Sequence, residues 1–88
     1  MTGMTIVVAD DHPIVRQGLR TVLEAEPDLT IVGEAADGLE TVELAARLQP
    51  QVLILDLMLP GLSGLEVTRQ VHQRSPQTRV VILSMHAN

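Results

Sequence analysis

Four short runs of aliphatic and β-branched residues recur along this sequence, and a segment with helical periodicity follows each of the first three. Two of the runs, Thr5–Ala9 and Val52–Leu55, have the composition of strands that are buried on both faces. The other two predicted strands are Thr30–Ala35 and Arg79–Leu83. Strands that alternate with helices over short connections favour right-handed crossovers and a parallel sheet covered on both sides. The sequence therefore predicts an α/β fold with the order β-α-β-α-β-α-β.

Prolines and capping pairs delimit the three predicted helices. Pro13 can begin the first helix without the loss of a hydrogen bond. A side-chain acceptor followed three residues later by glutamate marks the start of each of the other two helices. The capping pairs are Asp37 with Glu40 and Ser63 with Glu66, and the helices end before Pro27, before Pro50 and near Arg74.

The composition limits the partners that the chain can bind. Its 88 residues allow one domain, and with 45% hydrophobic residues but no Phe, Tyr or Trp any core is aliphatic. The net charge of −5 argues against binding to nucleic acid or to an anionic membrane, and a cation or a basic partner fits better. Cysteine is absent and no signal peptide is recognisable, so we expect a cytoplasmic protein without disulfides or thiolate metal sites.

Acidic residues directly follow two of the predicted strands. Asp10 and Asp11 come after the first strand, and Asp56 comes after the third. The carboxyl ends of parallel strands form the ligand crevice of open α/β sheets, so these side chains converge if the strands are neighbours. Close carboxylates repel each other unless a hard cation such as Mg²⁺ lies between them. With the ion bound, one carboxylate could attack phosphorus and form an aspartyl phosphate.

The spacing alone leaves a structural interpretation open. In that interpretation Asp11 only caps the first helix, Asp10 continues a polar loop and Asp56 is a turn residue at a strand end.

The three histidines are isolated in the sequence, without a second ligand at zinc spacing, and they are assigned no role. These histidines are His12, His72 and His86.

Four motifs together resemble a response-regulator receiver domain over the whole length of the chain. They are VVADDHPIVRQGL, VGEAADG, LILDLMLPGLSGLE and VVILSMHAN. The DDHP opening, followed by an arginine and GL, resembles the subfamily in which a receiver precedes a LuxR-type helix-turn-helix DNA-binding domain. The resemblance implies a flavodoxin-like, doubly wound parallel sheet with the strand order 2-1-3-4.

The resemblance also implies a role for each site residue. Asp56 would be the phosphorylated residue, Asp11 a direct ligand of Mg²⁺, and Asp10 an acid that acts mainly through a metal-bound water. The backbone carbonyl of Met58 would be a further metal ligand, and Ser84 would be the switch hydroxyl. The Met58 side chain itself is expected to pack over the sheet.

A partner histidine kinase or a small phosphodonor would supply the phosphoryl group, and the phosphorylated receiver would control a transcriptional output domain. The chain would then be no enzyme beyond its own phosphorylation and dephosphorylation. The alternative enzyme is a magnesium-dependent phosphatase with an aspartate nucleophile, but such folds generally have a second aspartate two residues later, where this chain has Met58. DNA binding by these residues is not expected, because they are acidic and include no recognition helix.

Compared with a complete receiver of five strands and five helices, residues 1–88 are expected to form a receiver truncated after the fourth strand, without a DNA-binding domain. The family's phosphoryl-contacting lysine and its switch aromatic have no counterpart in this sequence. Arg79–Leu83 would be an exposed sheet edge, which predicts a homodimer or higher oligomer through edge pairing or exchange of the C-terminal segment. A truncated scaffold that cannot be phosphorylated is the remaining hypothesis.

Overall fold

The chain alternates strands and helices as predicted. The computed structural model describes residues 3–83, and within them lie four strands and three helices. The strands are β1 (Met4–Ala9), β2 (Leu29–Ala35), β3 (Val52–Asp56) and β4 (Arg79–Leu83), and the helices are α1 (Pro13–Glu24), α2 (Gly38–Leu48) and α3 (Gly64–Arg74). The α/β fold class is confirmed, and β3 includes Asp56 as its last residue. None of the helices between residues 3 and 83 has the length and apolar character needed to span a lipid bilayer.

The strands form one parallel sheet in the order β2-β1-β3-β4. The expected flavodoxin-like order 2-1-3-4 is thus confirmed. From β1 the chain crosses to β2 on one side and then returns to β3 on the other side. Because such crossovers are right-handed, α1 lies on one face of the sheet, and α2 and α3 lie in contact on the opposite face. The winding reverses between β1 and β3, and open α/β sheets bind their ligands beyond the carboxyl ends of the strands at such a reversal.

The hydrophobic core lies between the sheet and the layer formed by α2 and α3. Central strands of a parallel sheet are covered on both faces, and accordingly Ile6–Ala9, Leu53 and Leu55 are buried. From α3, Val67 and Val71 are buried against them. Burial of a Val or Leu side chain stabilises the fold by about 1.5–3 kcal/mol. The core is aliphatic, as the composition predicted.

The α1 helix lies on the sheet as a surface layer. No residue of Pro13–Glu24, all of which the structure describes, is buried, and Ile14 is 84% exposed. Two arginines of α1 pair with Glu34 of β2: Nε of Arg16 lies 3.5 Å from its Oε1, and the Arg20 guanidinium also contacts it. Ion pairs and half-buried side chains therefore attach α1 to the sheet.

The two predicted capping pairs start α2 and α3. The backbone N–H of Glu40 donates to the Asp37 carboxylate at 2.8 Å, and that of Glu66 donates to the Ser63 hydroxyl at 3.1 Å. The glutamate side chains differ from the full motif. The Glu40 carboxylate accepts from the backbone N–H of Ala36 at 2.9 Å, and the Glu66 carboxylate accepts from side chains of its own helix. The helix starts are confirmed, although only half of each capping box forms in these described helices.

Paired polar groups close the amino-terminal edge of the sheet. Thr78 Oγ1 donates to the Pro50 carbonyl at 2.6 Å and lies 2.5 Å from the Ser75 hydroxyl oxygen. Thr5 and Gln51 exchange two hydrogen bonds, from backbone N–H to side-chain oxygen in each direction, both at 3.0 Å. Because Ser75 and Thr78 are buried, these bonds satisfy polar groups that water does not reach.

Candidate functional site

Asp10, Asp11 and Asp56 converge at the carboxyl-terminal edge of the sheet. They lie side by side because β1 and β3 are paired, parallel neighbours. One donor atom from each of these carboxylates and from His12 lies within 4.8 Å of the others. The predicted convergence of the three aspartates is therefore present, at the reversal of winding where open α/β sheets bind ligands.

The Asp56 carboxylate is buried, and the loop that follows it orients one of its oxygens. The residue is 1% exposed, and its Oδ1 accepts a hydrogen bond from the backbone N–H of Met58 at 3.0 Å. The backbone N–H of Leu59 donates to the Asp56 carbonyl at 3.4 Å. Oδ2 lies 3.8 Å from the ring nitrogen Nδ1 of His12. The backbone thus holds one oxygen of Asp56, and the other lies toward the acidic cluster.

Asp10 is equally buried, and one of its oxygens is unsatisfied. Its backbone N–H donates to the Ala35 carbonyl at 3.0 Å, and its Oδ1 accepts from the backbone N–H of His12 at 2.7 Å. Oδ2 is buried and has no hydrogen-bond partner among residues 3–83. A buried polar atom without a partner costs on the order of 1–3 kcal/mol, and more if it is charged. This position therefore favours a cation or a further hydrogen-bond donor.

His12 lies at the exposed rim of the acidic cluster, although it was predicted to have no role. Its Nδ1 is 3.0 Å from Asp11 Oδ1 and 3.3 Å from Asp10 Oδ1. His12 also occupies the N-cap position of α1, so the interpretation in which Asp11 caps this helix is wrong. The sequence signal that could have placed His12 is its position between the acidic pair and Pro13, which begins the helix.

The loop between β3 and α3 departs from the prediction at Met58. The Met58 side chain is 70% exposed, so the expectation that it packs over the sheet is wrong, whereas Leu59 is 7% exposed. Because the chain turns tightly after β3, only one of these two successive side chains reaches the core. Gly61 has a φ of 89°, and the Pro60 carbonyl accepts from the Gly38 N–H at 3.0 Å, which fixes the loop against α2. The Met58 carbonyl stays a predicted metal ligand.

Two residues singled out in the sequence lie outside the described residues. Ser84, the predicted switch hydroxyl, and His86 both follow residue 83, where the description ends. The remaining histidine, His72, lies on α3 and is exposed. The role of Ser84 therefore stays a prediction from the resemblance.

The fold and the position of the cluster define a flavodoxin-like α/β domain with an acidic site at its switch point. The model of the response regulator receiver domain family matches residues 6–88. The chain belongs to this family. The resemblance that the four sequence motifs indicated is therefore confirmed.

Similar proteins include LuxR/NarL-family response regulators, which confirms the expected subfamily. The transcriptional regulatory protein LiaR of Bacillus subtilis is 40% identical over 79 residues, which are 90% of this chain but only 37% of LiaR. The receiver domain of NarL from Mycobacterium tuberculosis matches with a TM-score of 0.92 and 35% identity, over 100% of this chain and 71% of that one. RcsB of Salmonella enterica serovar Typhimurium, bound to the promoter rprA with the phosphomimetic BeF3−, matches with a TM-score of 0.87 and 32% identity, over 98% and 72%.

Proposed function

We propose that this protein is the phosphoacceptor receiver of a two-component response regulator, and that Asp56 takes the phosphoryl group in the presence of Mg²⁺. The observation that best supports this proposal is a pair of buried carboxylates, Asp10 and Asp56, at the carboxyl ends of neighbouring strands. One oxygen of Asp10 has no hydrogen-bond partner among residues 3–83. Membership of the receiver family supports the same conclusion. A receiver domain is a signalling module and not a classical enzyme.

The residues of the cluster fit a magnesium ion. Asp10, Asp11 and Asp56 offer the carboxylate oxygens that Mg²⁺ prefers. Oδ2 of Asp10 accepts no hydrogen bond from residues 3–83, so it is available to an ion or to its waters. The Met58 carbonyl is the backbone ligand that the family resemblance suggests. A bound Mg²⁺ would neutralise the clustered carboxylates and screen the charge of an incoming phosphate.

The chain itself supplies the nucleophile and holds it in place. Because the Met58 N–H engages Oδ1 of Asp56, Oδ2 is the oxygen that attacks phosphorus. The bond between Oδ2 and phosphorus forms as the bond from phosphorus to the donor breaks, and the donor keeps the bonding electrons. When a histidine kinase is the donor, its imidazole leaves and takes up a proton from solvent. Attack of water on phosphorus later releases phosphate and restores the carboxylate.

Control of transcription is the output that the relatives suggest. LiaR is a transcriptional regulatory protein, and RcsB was solved on promoter DNA together with a phosphomimetic. We therefore propose that this receiver acts on a LuxR-type output domain. The proposed location is the cytoplasm, because bacterial DNA lies there. Ser84 would turn toward the new phosphoryl oxygens and so pass the change to the segment that follows it.

Intact mass spectrometry tests the phosphorylation directly. The 88-residue chain is incubated with Mg²⁺ and acetyl phosphate, and we expect one added phosphoryl group in the wild type. The gain should be absent in Asp56→Asn and absent in the wild type when EDTA removes the cation. Asp28→Asn is the matched control, because Asp28 is an exposed aspartate before β2, far along the chain from the cluster.

Two outcomes would contradict the proposal. Labelling that persists in Asp56→Asn would place the phosphoryl group on another residue. Labelling of the wild type that is unchanged by EDTA would exclude a role for the metal. Circular dichroism of each variant confirms that a lost label does not reflect an unfolded chain.

Self-association is a second candidate property, and the exposure of β4 favours it. Val81 and Ile82 are 46% and 45% exposed on a strand that forms an edge of the sheet within residues 3–83. We propose that two chains pair these edges or exchange C-terminal segments to form a homodimer. Light scattering should give twice the chain mass for the wild type and the chain mass for Ile82→Lys. A folded dimer that takes no label on Asp56 would support the scaffold hypothesis instead.

A further inference from the structure

The acidic site contains a nitrogen donor that a magnesium site does not use. Nδ1 of His12 lies 3.0 Å from Asp11 Oδ1, 3.3 Å from Asp10 Oδ1 and 3.8 Å from Asp56 Oδ2. The ring nitrogen is therefore in range of all three carboxylates at once. The imidazole thereby changes an all-oxygen donor set into a mixed set of three oxygens and one nitrogen.

The backbone conformation of His12 places its ring within reach of the acids, with the side chain 61% exposed. An N-cap side chain ordinarily accepts a hydrogen bond from the first turn of its helix, but His12 makes no such bond within the described residues. The backbone N–H of His12 donates to Oδ1 of Asp10. Because Pro13 follows directly, the backbone of His12 is restricted to the extended region. The side chain that could have capped α1 lies in the acidic cluster.

Mixed donor sets select different ions from all-oxygen sets. Mg²⁺ binds oxygen ligands and keeps several of its waters, so an imidazole adds little to its affinity. Zn²⁺ and Ni²⁺ bind imidazole nitrogen well, and Zn²⁺ accepts carboxylates beside it. The unpartnered Oδ2 of Asp10, on a residue that is 1% exposed, shows that the cluster has a buried donor still to satisfy.

We infer that Asp10, Asp11, His12 and Asp56 also bind a divalent transition-metal ion such as Zn²⁺, with Nδ1 of His12 as a direct ligand. The inference rests on the metal site of the proposed function. Bonds of about 2.0–2.2 Å place the donor atoms around such an ion up to about 4 Å apart. The four donors already lie within 4.8 Å of one another, so small movements of the side chains complete the site.

Occupation by such an ion has a consequence for signalling. Asp56 is one of the four donors, so the ion engages the carboxylate that the proposed function assigns as phosphoacceptor. Zn²⁺ therefore competes with Mg²⁺ for the site that labelling requires.

Calorimetric titration of the 88-residue chain with Zn²⁺ alone and with Mg²⁺ alone tests the inference. Loss of a supporting residue outside the ligand shell already lowers metal affinity about 10–100-fold, so loss of a ligand in His12→Ala should weaken Zn²⁺ at least about tenfold. The Mg²⁺ affinity should change less than about threefold. His72→Ala is the matched control, because His72 is an exposed histidine on α3 and should leave both affinities unchanged.

Nitrogen-15 spectra of the wild-type imidazoles provide a second measurement that needs no variant. Addition of Zn²⁺ should shift the Nδ1 resonance of His12. Addition of Mg²⁺ in a separate sample should leave that resonance unshifted. An equal loss of Zn²⁺ affinity in His12→Ala and His72→Ala, or an unshifted His12 ring, would overturn the inference. Failure of Mg²⁺-dependent labelling together with Zn²⁺ binding that depends on His12 would overturn only the proposed function.

Discussion

The amino-terminal and carboxyl-terminal ends of the parallel strands form two opposite edges of the sheet. These two edges differ in whether their buried polar groups have hydrogen-bond partners. At the amino-terminal edge, the buried hydroxyls of Ser75 and Thr78 contact each other, and Thr78 also bonds the Pro50 carbonyl. At the carboxyl-terminal edge, the equally buried Asp10 has an oxygen with no partner among residues 3–83. Folded chains satisfy nearly all buried polar groups, because each unsatisfied one costs about 1–3 kcal/mol. The contrast separates an edge that stabilises the fold from an edge that is open to a ligand.

Charge makes the difference between the edges larger. The amino-terminal edge uses neutral hydroxyl, amide and carbonyl groups, whereas the carboxyl-terminal edge brings three carboxylates and an imidazole within 4.8 Å. Repulsion between carboxylates opposes folding unless a cation is bound. The effect of a substitution at the carboxyl-terminal edge on the free energy of unfolding should therefore depend on a bound cation. The effect of a substitution at the amino-terminal edge should not.

The largest expected effect is stabilisation by Mg²⁺ through the carboxyl-terminal edge. A ligand that binds only the folded state adds about 2.7 kcal/mol to the free energy of unfolding at 100 times its Kd. We expect urea titrations of the wild type to show a gain of this size. Asp10→Asn should lose most of the gain, because one anionic oxygen donor is removed. An equal gain in both proteins would break the contrast between the edges.

The next effect is at the amino-terminal edge. Thr78→Val keeps the shape of the side chain but removes the hydroxyl that bonds Pro50 and contacts Ser75. We expect the free energy of unfolding to fall by about 2 kcal/mol, because two buried groups lose their partner. Urea titration should show the same loss with and without Mg²⁺. Thr30→Val, at an exposed position of β2, is the control and should change stability by less than about 0.5 kcal/mol.

A smaller effect of opposite sign is expected for Asp10→Asn in EDTA. Asparagine keeps an oxygen that can accept from the His12 N–H and removes one charge from the cluster. We expect the free energy of unfolding to rise by on the order of 1 kcal/mol, as like charges a few ångströms apart in protein repel by at least this amount. Thermal melts in EDTA measure the change. A variant that melts below the wild type would show that the acids do not oppose folding.

The smallest effect concerns an exposed pair on α3 that belongs to neither edge. Hydrogen bonds from Arg69 and then from Gln70 lower the pKa of Glu66 from 4.5 to about 2. Because the folded pKa is the lower one, the pair contributes stability above pH 4.5, and this contribution is lost as the pH falls through about 2. Solvent screening keeps the contribution well below that of either edge. Carbon-13 titration of the Glu66 carboxyl should show the low pKa, and Arg69→Gln should raise it toward 4.5.

The elements of the fold were predictable because their signals are local. Pro13, Asp37 and Ser63 each mark a helix start within one residue of the observed one, and the apolar runs coincide with the four strands. Strand pairing was predictable from the resemblance, since motif order implies topology. The convergence of Asp10 and Asp56 follows from that pairing, and so both the acidic site and its place in the sheet could be stated from the sequence.

Residues in the connecting loops were harder to place. The outward direction of Met58 depends on a turn that is held by the hydrogen bond from Gly38 to Pro60. Gly38 lies 22 positions earlier in the chain, at the start of α2. No periodicity records such a contact. His12 was missed for a different reason: the pattern was searched for a second ligand at zinc spacing, whereas the nearest acids are its sequence neighbours Asp10 and Asp11. Only its contact with Asp56 depends on the pairing of β1 with β3.

The surface position of α1 has a consequence for local opening of the folded chain. Segments with few buried contacts open and exchange their amide hydrogens at free energies well below that of global unfolding. None of the described residues Pro13–Glu24 is buried, yet the helix begins directly after Asp11 and His12. An ion held by these two residues must be released or strained before the first turn of α1 can open. Amide protons in the first turn of α1 should therefore report occupancy of the site, because a bound ion slows their exchange through local opening.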